Sequence, residues 1–275
     1  MASLVRASAV AGRFYPGQPE ELLRDIREYT APNDGEGDAT RMFAIGCIVP
    51  HAGYVYSGHV AGAVFSRIEI PEHCIVLCPN HTGFGVRLAT MAATAWRTPL
   101  GEVAPSTALA SQLLESFPLL EEDSGAHRAE HAIEVQLPFL QVRQKNLHVV
   151  PIAVGTSDFG VLCGLGEALA TAIAAAPSKA LIIASSDMNH YESEAVTRVK
   201  DRKAIERVLA LDAAGLFDVV VKEKVTMCGF GPAIIMLTAA KKLGATSATL
   251  VDYATSGDVS GDFAKVVGYA GVVVE

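Results

Sequence analysis

A chain of 275 residues, half of them hydrophobic, can bury a large core and suits one large domain or two small ones. A single domain over 1–275 is the expectation. The net charge of −8, with no cluster of Lys or Arg, argues against nucleic acid or an anionic membrane as main partner and favours a small, neutral or metal-chelated ligand. Apolar stretches are short and broken by Gly, Pro or charge, so none has bilayer-spanning length. Near the start Arg6 divides a run of small apolar residues and no signal-like stretch follows, which makes the cytoplasm the expected compartment. Five cysteines, odd in number and scattered, read as reduced thiols and not as a disulfide framework.

In chain order, PEELLRDIREYT (19–30) sets Leu22, Leu23 and Ile26 at helical spacing behind Pro19 and two acids suited to a first turn. The Pro/Gly/Asp-rich stretch at 31–41 reads as an exposed loop. Short continuous apolar runs follow at 43–49, 74–78, 147–154, 180–184, 248–253 and 266–274, the pattern of strands buried on both faces. Helical patterns at 106–116, 157–175, 194–210 and 230–243 alternate with them. The alternation predicts an α/β fold: a central, mostly parallel or mixed sheet flanked by helices on both faces.

Three of these strands run directly into polar, histidine-bearing loops: Pro50-His51-Ala52-Gly53-Tyr54, Pro79-Asn80-His81-Thr82-Gly83, and Ser185-Ser186-Asp187-Met188-Asn189-His190-Tyr191. In open α/β sheets ligands bind beyond the carboxyl ends of the strands, so the three loops predict one shared site. His51 and His81 sit in matching strand-Pro-turn contexts and make half of a metal site. Cys228, in a Gly-rich turn that opens a helix, is a candidate third ligand, because a helix N-terminus favours the thiolate. Asp187 either completes a two-His, one-carboxylate site or orients His190 as a general acid/base. Tyr54, Asn80 and Tyr191, in the same loops, and Arg13, in the AGRFYP segment, are the expected substrate contacts.

His127-Arg128-Ala129-Glu130-His131 matches the inverted zinc-peptidase motif, with both histidines on one face if the segment is helical. Pro138 is expected to stop or kink such a helix. His131 and Glu134 are therefore read as pocket-lining groups, His131 with an acid/base role. The polar run at 252–262 lacks a P-loop Lys and a dinucleotide fingerprint, and has the residues of a hairpin connection.

Taken together, AVAGRFYPG, VPHAGYVYSG, PNHTG, WRTPLGEV, EHAIEVQLPFLQ, SSDMNHY, MCGFGP and DYATSGDVSGD resemble the Memo family, known in microbes as AmmeMemoRadiSam system protein B. The resemblance spans nearly the whole chain. It implies a fold similar to the LigB-type, class III extradiol dioxygenases, with a mononuclear metal: iron first, copper or zinc as alternatives. It implies His51, His81 and Cys228 as ligands, with Asp187 and His190 falling on the SSD-x-x-H motif. The dioxygenases use a carboxylate where Cys228 stands. It also implies work beside radical-SAM and AMMECR-type proteins. Three functions follow as expectations: a metal-dependent redox enzyme acting on a small molecule or peptide, a non-enzymatic metal-chelating or peptide-binding scaffold, and a zinc hydrolase.

Overall fold

The computed structural model describes residues 4–31 and 41–275, so the loop expected at 31–41 lies almost wholly outside the described residues. The first elements are β1 (Leu4–Arg6), α1 (Pro19–Tyr29), β2 (Gly46–Val49), α2 (Tyr54–Arg67), β3 (His73–Pro79), β4 (Leu88–Thr90), β5 (Thr94–Thr98), β6 (Gly101–Pro105), α3 (Thr107–Ser116) and β7 (Glu121–Glu122). A 3-10 turn (Glu134–Gln136) leads into α4 (Leu137–Arg143), followed by β8 (His148–Val154), α5 (Phe159–Ala175), β9 (Ala180–Ser185), β10 (His190–Glu192), α6 (Glu194–Leu209) and α7 (Ala213–Lys222). The chain closes with α8 (Phe230–Lys242), β11 (Ala248–Thr255), α9 (Gly257–Ser260) and β12 (Val266–Val274).

Every predicted strand and helix has a counterpart, and the expected α/β sheet is present. Its centre, β8-β3-β9-β2, is parallel throughout. Antiparallel pairs appear where hairpins add strands, β12 beside β2 and β11 beside β12 on one side, β5 with β6 on the other. The run at 252–262 is the connection of the β11–β12 hairpin, with α9 folded into it. Among the described residues no helix is long and apolar enough to cross a membrane.

The central strands are apolar on both faces because each face covers a different core. Ile48, Ile75, Leu77, Ile152 and Ile182 point toward α3, α5, α6, α7 and α8. Their neighbours Cys47, Val49, Val76, Val149 and Ile183 point the other way, toward α1, α2 and α4. Period-two alternation of side chains makes such continuous apolar runs obligatory in a sheet covered on both sides. Cys47, Cys74 and Cys78 are buried and all five cysteines are free, as expected.

Two local expectations are corrected. Residues 123–133 form turns rather than a helix, so His127 and His131 share no helix face. Pro138 does not end a helix either; it occupies the first turn of α4, where its missing N–H is harmless. The helix α2 was not predicted. Its small residues read weakly as helix, but Gly58 and Gly62 are needed for packing: a Cβ on Gly62 would lie 2.2 Å from the Tyr29 carbonyl oxygen. Close contact with α1 therefore overrides the poor helix propensity of glycine.

Candidate metal centre

Parallel register brings the predicted loops to one level. Val49 pairs with Ser185 and Leu77 with Ala184, so the chain leaves β2, β3 and β9 side by side at their carboxyl ends. There one ligand atom each of His51, His81 and Cys228 lies within 4.8 Å of the other two. Cys228 Sγ is 3.2 Å from His51 Nε2, and the His51 and His81 rings meet edge-on at 5.1 Å. Residues 30 to 177 positions apart in sequence thus come together, with His51 almost fully buried at 2% exposure and His81 open on one side.

The hydrogen bonds around each imidazole fix its tautomer. The Ser185 hydroxyl donates its only proton to the Ala132 carbonyl (2.7 Å), so its contact with His51 Nδ1 (3.0 Å) must be donation from the ring. That leaves the His51 Nε2 lone pair facing Cys228. His81 Nδ1 donates to Glu130 Oε1 (2.9 Å), so its Nε2 is the free ligand atom. Glu130 is buried and accepts as well from the backbone N–H groups of His81 (2.7 Å), His131 (2.9 Å) and Ala132 (3.0 Å). Such carboxylate-imidazole pairs orient metal ligands and raise their basicity.

Electrostatics agree with a site built around a cation. Burial, then the neighbouring His81, His131 and His190, hold the His51 ring well below its ordinary pKa, so it stands neutral with a lone pair available. Burial pulls His81 down too, but the bonded Glu130 carboxylate and Asp187 outweigh it and leave this ring raised, so a cation binding there displaces a proton. Burial pushes Asp187 up to about 7. Burial, with Asp187 beside it, also pushes the Cys228 thiol up. The expected thiolate at the start of α8 is therefore not favoured by the protein alone, because desolvation outweighs the helix end. A cation between two imidazoles supplies the missing charge. Two imidazole lone pairs and one sulfur, with room on the His81 side, fit a single borderline ion such as iron, copper or zinc.

Around this trio the predicted residues divide. His131 belongs to the site: its ring stacks on His81 at 4.9 Å and lies 5.5 Å from His51. Asp187 is at the site, but its Oδ1 accepts the His51 backbone N–H (2.7 Å), so it braces a ligand's main chain and does not orient His190. His190 is oriented by Thr226 instead, donating from Nδ1 to the Thr226 carbonyl (2.9 Å). Asn80 shapes its own loop, accepting from Thr82 and Gly83 and donating to Phe84 O (2.7 Å). Tyr191 stands at the rim, 73% exposed, with a φ of 62° that an aromatic residue seldom adopts. Arg13 is exposed on the turn whose next residue, Phe14, packs on His131 at 4.7 Å.

Tyr54 faces away from the site. It is buried, donates to the Val135 carbonyl (2.7 Å) and packs on Tyr15 and Phe139. Glu134 is not a pocket group either: it is buried and binds Arg6, Tyr15 and the backbone of Ala9 and Val10. Trp96 is wholly buried, with Arg6 stacked on its ring at 4.3 Å. In the peptidase-like motif His127 turns its Nε2 to the Ala89 carbonyl (3.1 Å), so the motif's three residues form no common site. The residue that the sequence concealed is Glu130, set within that false match and holding both His81 and His131.

A family model described as "Memo-like protein" matches residues 6–273. The chain belongs to the Memo family. A MEMO1 family protein of Methanopyrus kandleri is 42% identical over 280 residues, covering 98% of each chain. Others in Methanosarcina barkeri and Pyrobaculum aerophilum are each 40% identical, covering 98% of this chain and 100% and 98% of theirs. Membership extends over both cores and every loop of the candidate site.

Proposed function

We propose that this Memo-family chain is a mononuclear-metal redox enzyme that holds iron, with copper as the second candidate, on His51, His81 and Cys228. The single observation that supports the reading most is the gathering of these three donor atoms within 4.8 Å, with both histidine tautomers fixed toward the same point. A bound iron would supply Lewis acidity and one-electron chemistry. The chain supplies the rest. Asp187, with a pKa near 7, exchanges a proton close to neutral pH, and His190 is the second group that handles protons. His131 covers one flank, and the open side at His81 admits a small molecule or an extended peptide. We assign it a place in a modification system with radical-SAM and AMMECR-type proteins, in the cytoplasm.

The test is anaerobic iron loading followed by oxygen-uptake assays on catechols and peptides, with His51→Ala as control. Stoichiometric iron and uptake that His51→Ala abolishes is the expected result. Iron bound at the three residues without uptake on any substrate would overturn the redox reading. It would leave the scaffold reading, which the exposed Phe84 and Tyr191 on the site loops favour. A zinc hydrolase built on His127 has no support in the position of that ring.

A further inference from the structure

Cys228 sits on a loop that belongs to neither of the histidine-bearing strands, yet its sulfur must meet both imidazoles. One buried side chain joins that loop to the end of β9. Asn189 Oδ1 accepts from the backbone N–H (3.1 Å) and the hydroxyl (3.1 Å) of Thr226, two residues before Cys228. Its Nδ2 donates to Glu192 Oε2 (2.8 Å) and Thr197 Oγ1 (3.2 Å), so all four bonds of the amide are made without solvent. The Asn189 backbone N–H donates to Asp201 Oδ1 (2.9 Å), and Asp201 is itself fastened by the Tyr253 hydroxyl (2.7 Å). The amide has one workable orientation: flipped, it would set its NH2 against the Thr226 N–H and its oxygen against the Glu192 carboxylate.

Thr226 passes this placement in two directions. Its hydroxyl accepts from the His190 backbone N–H (2.7 Å) and its carbonyl accepts from His190 Nδ1 (2.9 Å), while the chain continues through Met227 to Cys228. Beyond Thr226 the loop is tied back to the end of β9 by the Gly229 N–H bond to Ser186 Oγ (3.0 Å) and by the long contact of the Cys228 sulfur with the Asp187 carbonyl (3.7 Å). The Asn189–Thr226 junction carries the remaining, and better satisfied, set of bonds that fixes the relative height of thiol and imidazoles.

We propose that Asn189 is a positioning residue of the metal centre: its side-chain amide, held by Glu192 and Thr197 while Asp201 holds its backbone, sets the Cys228 loop at the height where sulfur and both imidazoles can share one ion. The inference rests on the metal-centre reading and deepens it. Asn189→Asp keeps the shape and the acceptor toward Thr226, but places a carboxylate oxygen 2.8 Å from Glu192 Oε2, which forces the junction open. Adding Glu192→Gln restores a donor at that contact.

The experiment titrates metal-free protein with cobalt(II). It reads the visible ligand-field bands for uptake and the near-ultraviolet thiolate charge-transfer band for sulfur ligation, with folding followed by circular dichroism. Wild type is expected to show both signals at one equivalent, and Cys228→Ser the ligand-field bands alone. Asn189→Asp is expected to bind about 10–100-fold more weakly and to lose the charge-transfer band while histidine ligation persists, and the double variant to recover it. Thr226→Val, which removes only the hydroxyl, gives a smaller loss in the same sense and serves if Asn189→Asp does not fold. Full charge transfer and wild-type affinity in folded Asn189→Asp, or in Thr226→Val where that variant alone folds, overturns the positioning role and spares the metal centre. No sulfur signal in wild type overturns both.

Discussion

The Ser185 hydroxyl has one proton, and its donation to Ala132 decides which nitrogen of His51 faces Cys228. Glu130 does the same for His81 with a full charge, and its two oxygens serve four donors. Glu130→Gln leaves the volume unchanged but offers one acceptor atom where there were two, so a buried N–H loses its partner at a cost of about 1–3 kcal/mol. We expect iron or cobalt affinity to fall about 10–100-fold in a competition titration with a chromophoric chelator, with a lower melting temperature. Unchanged affinity would mean that His81 needs no such partner. At this scale the sequence displayed the candidate donors and hid their supports. His51, His81 and Cys228 announce themselves by context, whereas Glu130 stands in a false motif and Ser185 is one serine among many. Tyr54 shows the opposite failure, since proximity in sequence to His51 says nothing about which way α2 turns its first side chain.

Elements succeed or fail in the sequence according to how much of their stability is local. The central strands are legible because both faces must be apolar, and α5 and α8 because their apolar positions recur at helical spacing. The helix α2 is obscure because Gly58 and Gly62 are selected by Tyr29 across a gap no pattern reveals. The turn before α8 follows the same rule. A Cβ on Gly229 would fall 2.4 Å from Ser186 Cβ and 2.5 Å from the Ser185 carbonyl oxygen, which are parts of a buried strand end and cannot give way. Gly229→Ala is therefore expected to push the Cys228 loop away from β9, costing about 1–3 kcal/mol in chemical denaturation and dimming the thiolate-to-cobalt band. A variant with wild-type stability and spectrum would show the loop to be more compliant than its contacts imply.

Over the whole molecule, alternation of strand and helix patterns and the position of polar loops after strands sufficed to forecast the sheet and the place of the site. The mixed outer strands were not legible, because β4 to β6 are three to five residues long and, apart from the β5–β6 hairpin, pair with strands far away in sequence. Nor was the role of the first residues. Arg6 lies buried on β1, paired with Glu134, and donates to the carbonyls of His127 (3.1 Å) and Glu130 (2.7 Å). The same guanidinium thus neutralises one buried acid and grips the main chain of the acid that holds His81. Arg6→Ala strands Glu134 without a counter-charge, a change that costs about 3–5 kcal/mol, and should weaken metal retention in the fraction that stays folded. Equal melting temperature and metal content in Arg6→Ala would refute this. For anyone re-engineering the polypeptide, the segment around Arg6 therefore works as a drawstring on the candidate site from a distance, and changes made there would be felt at His81.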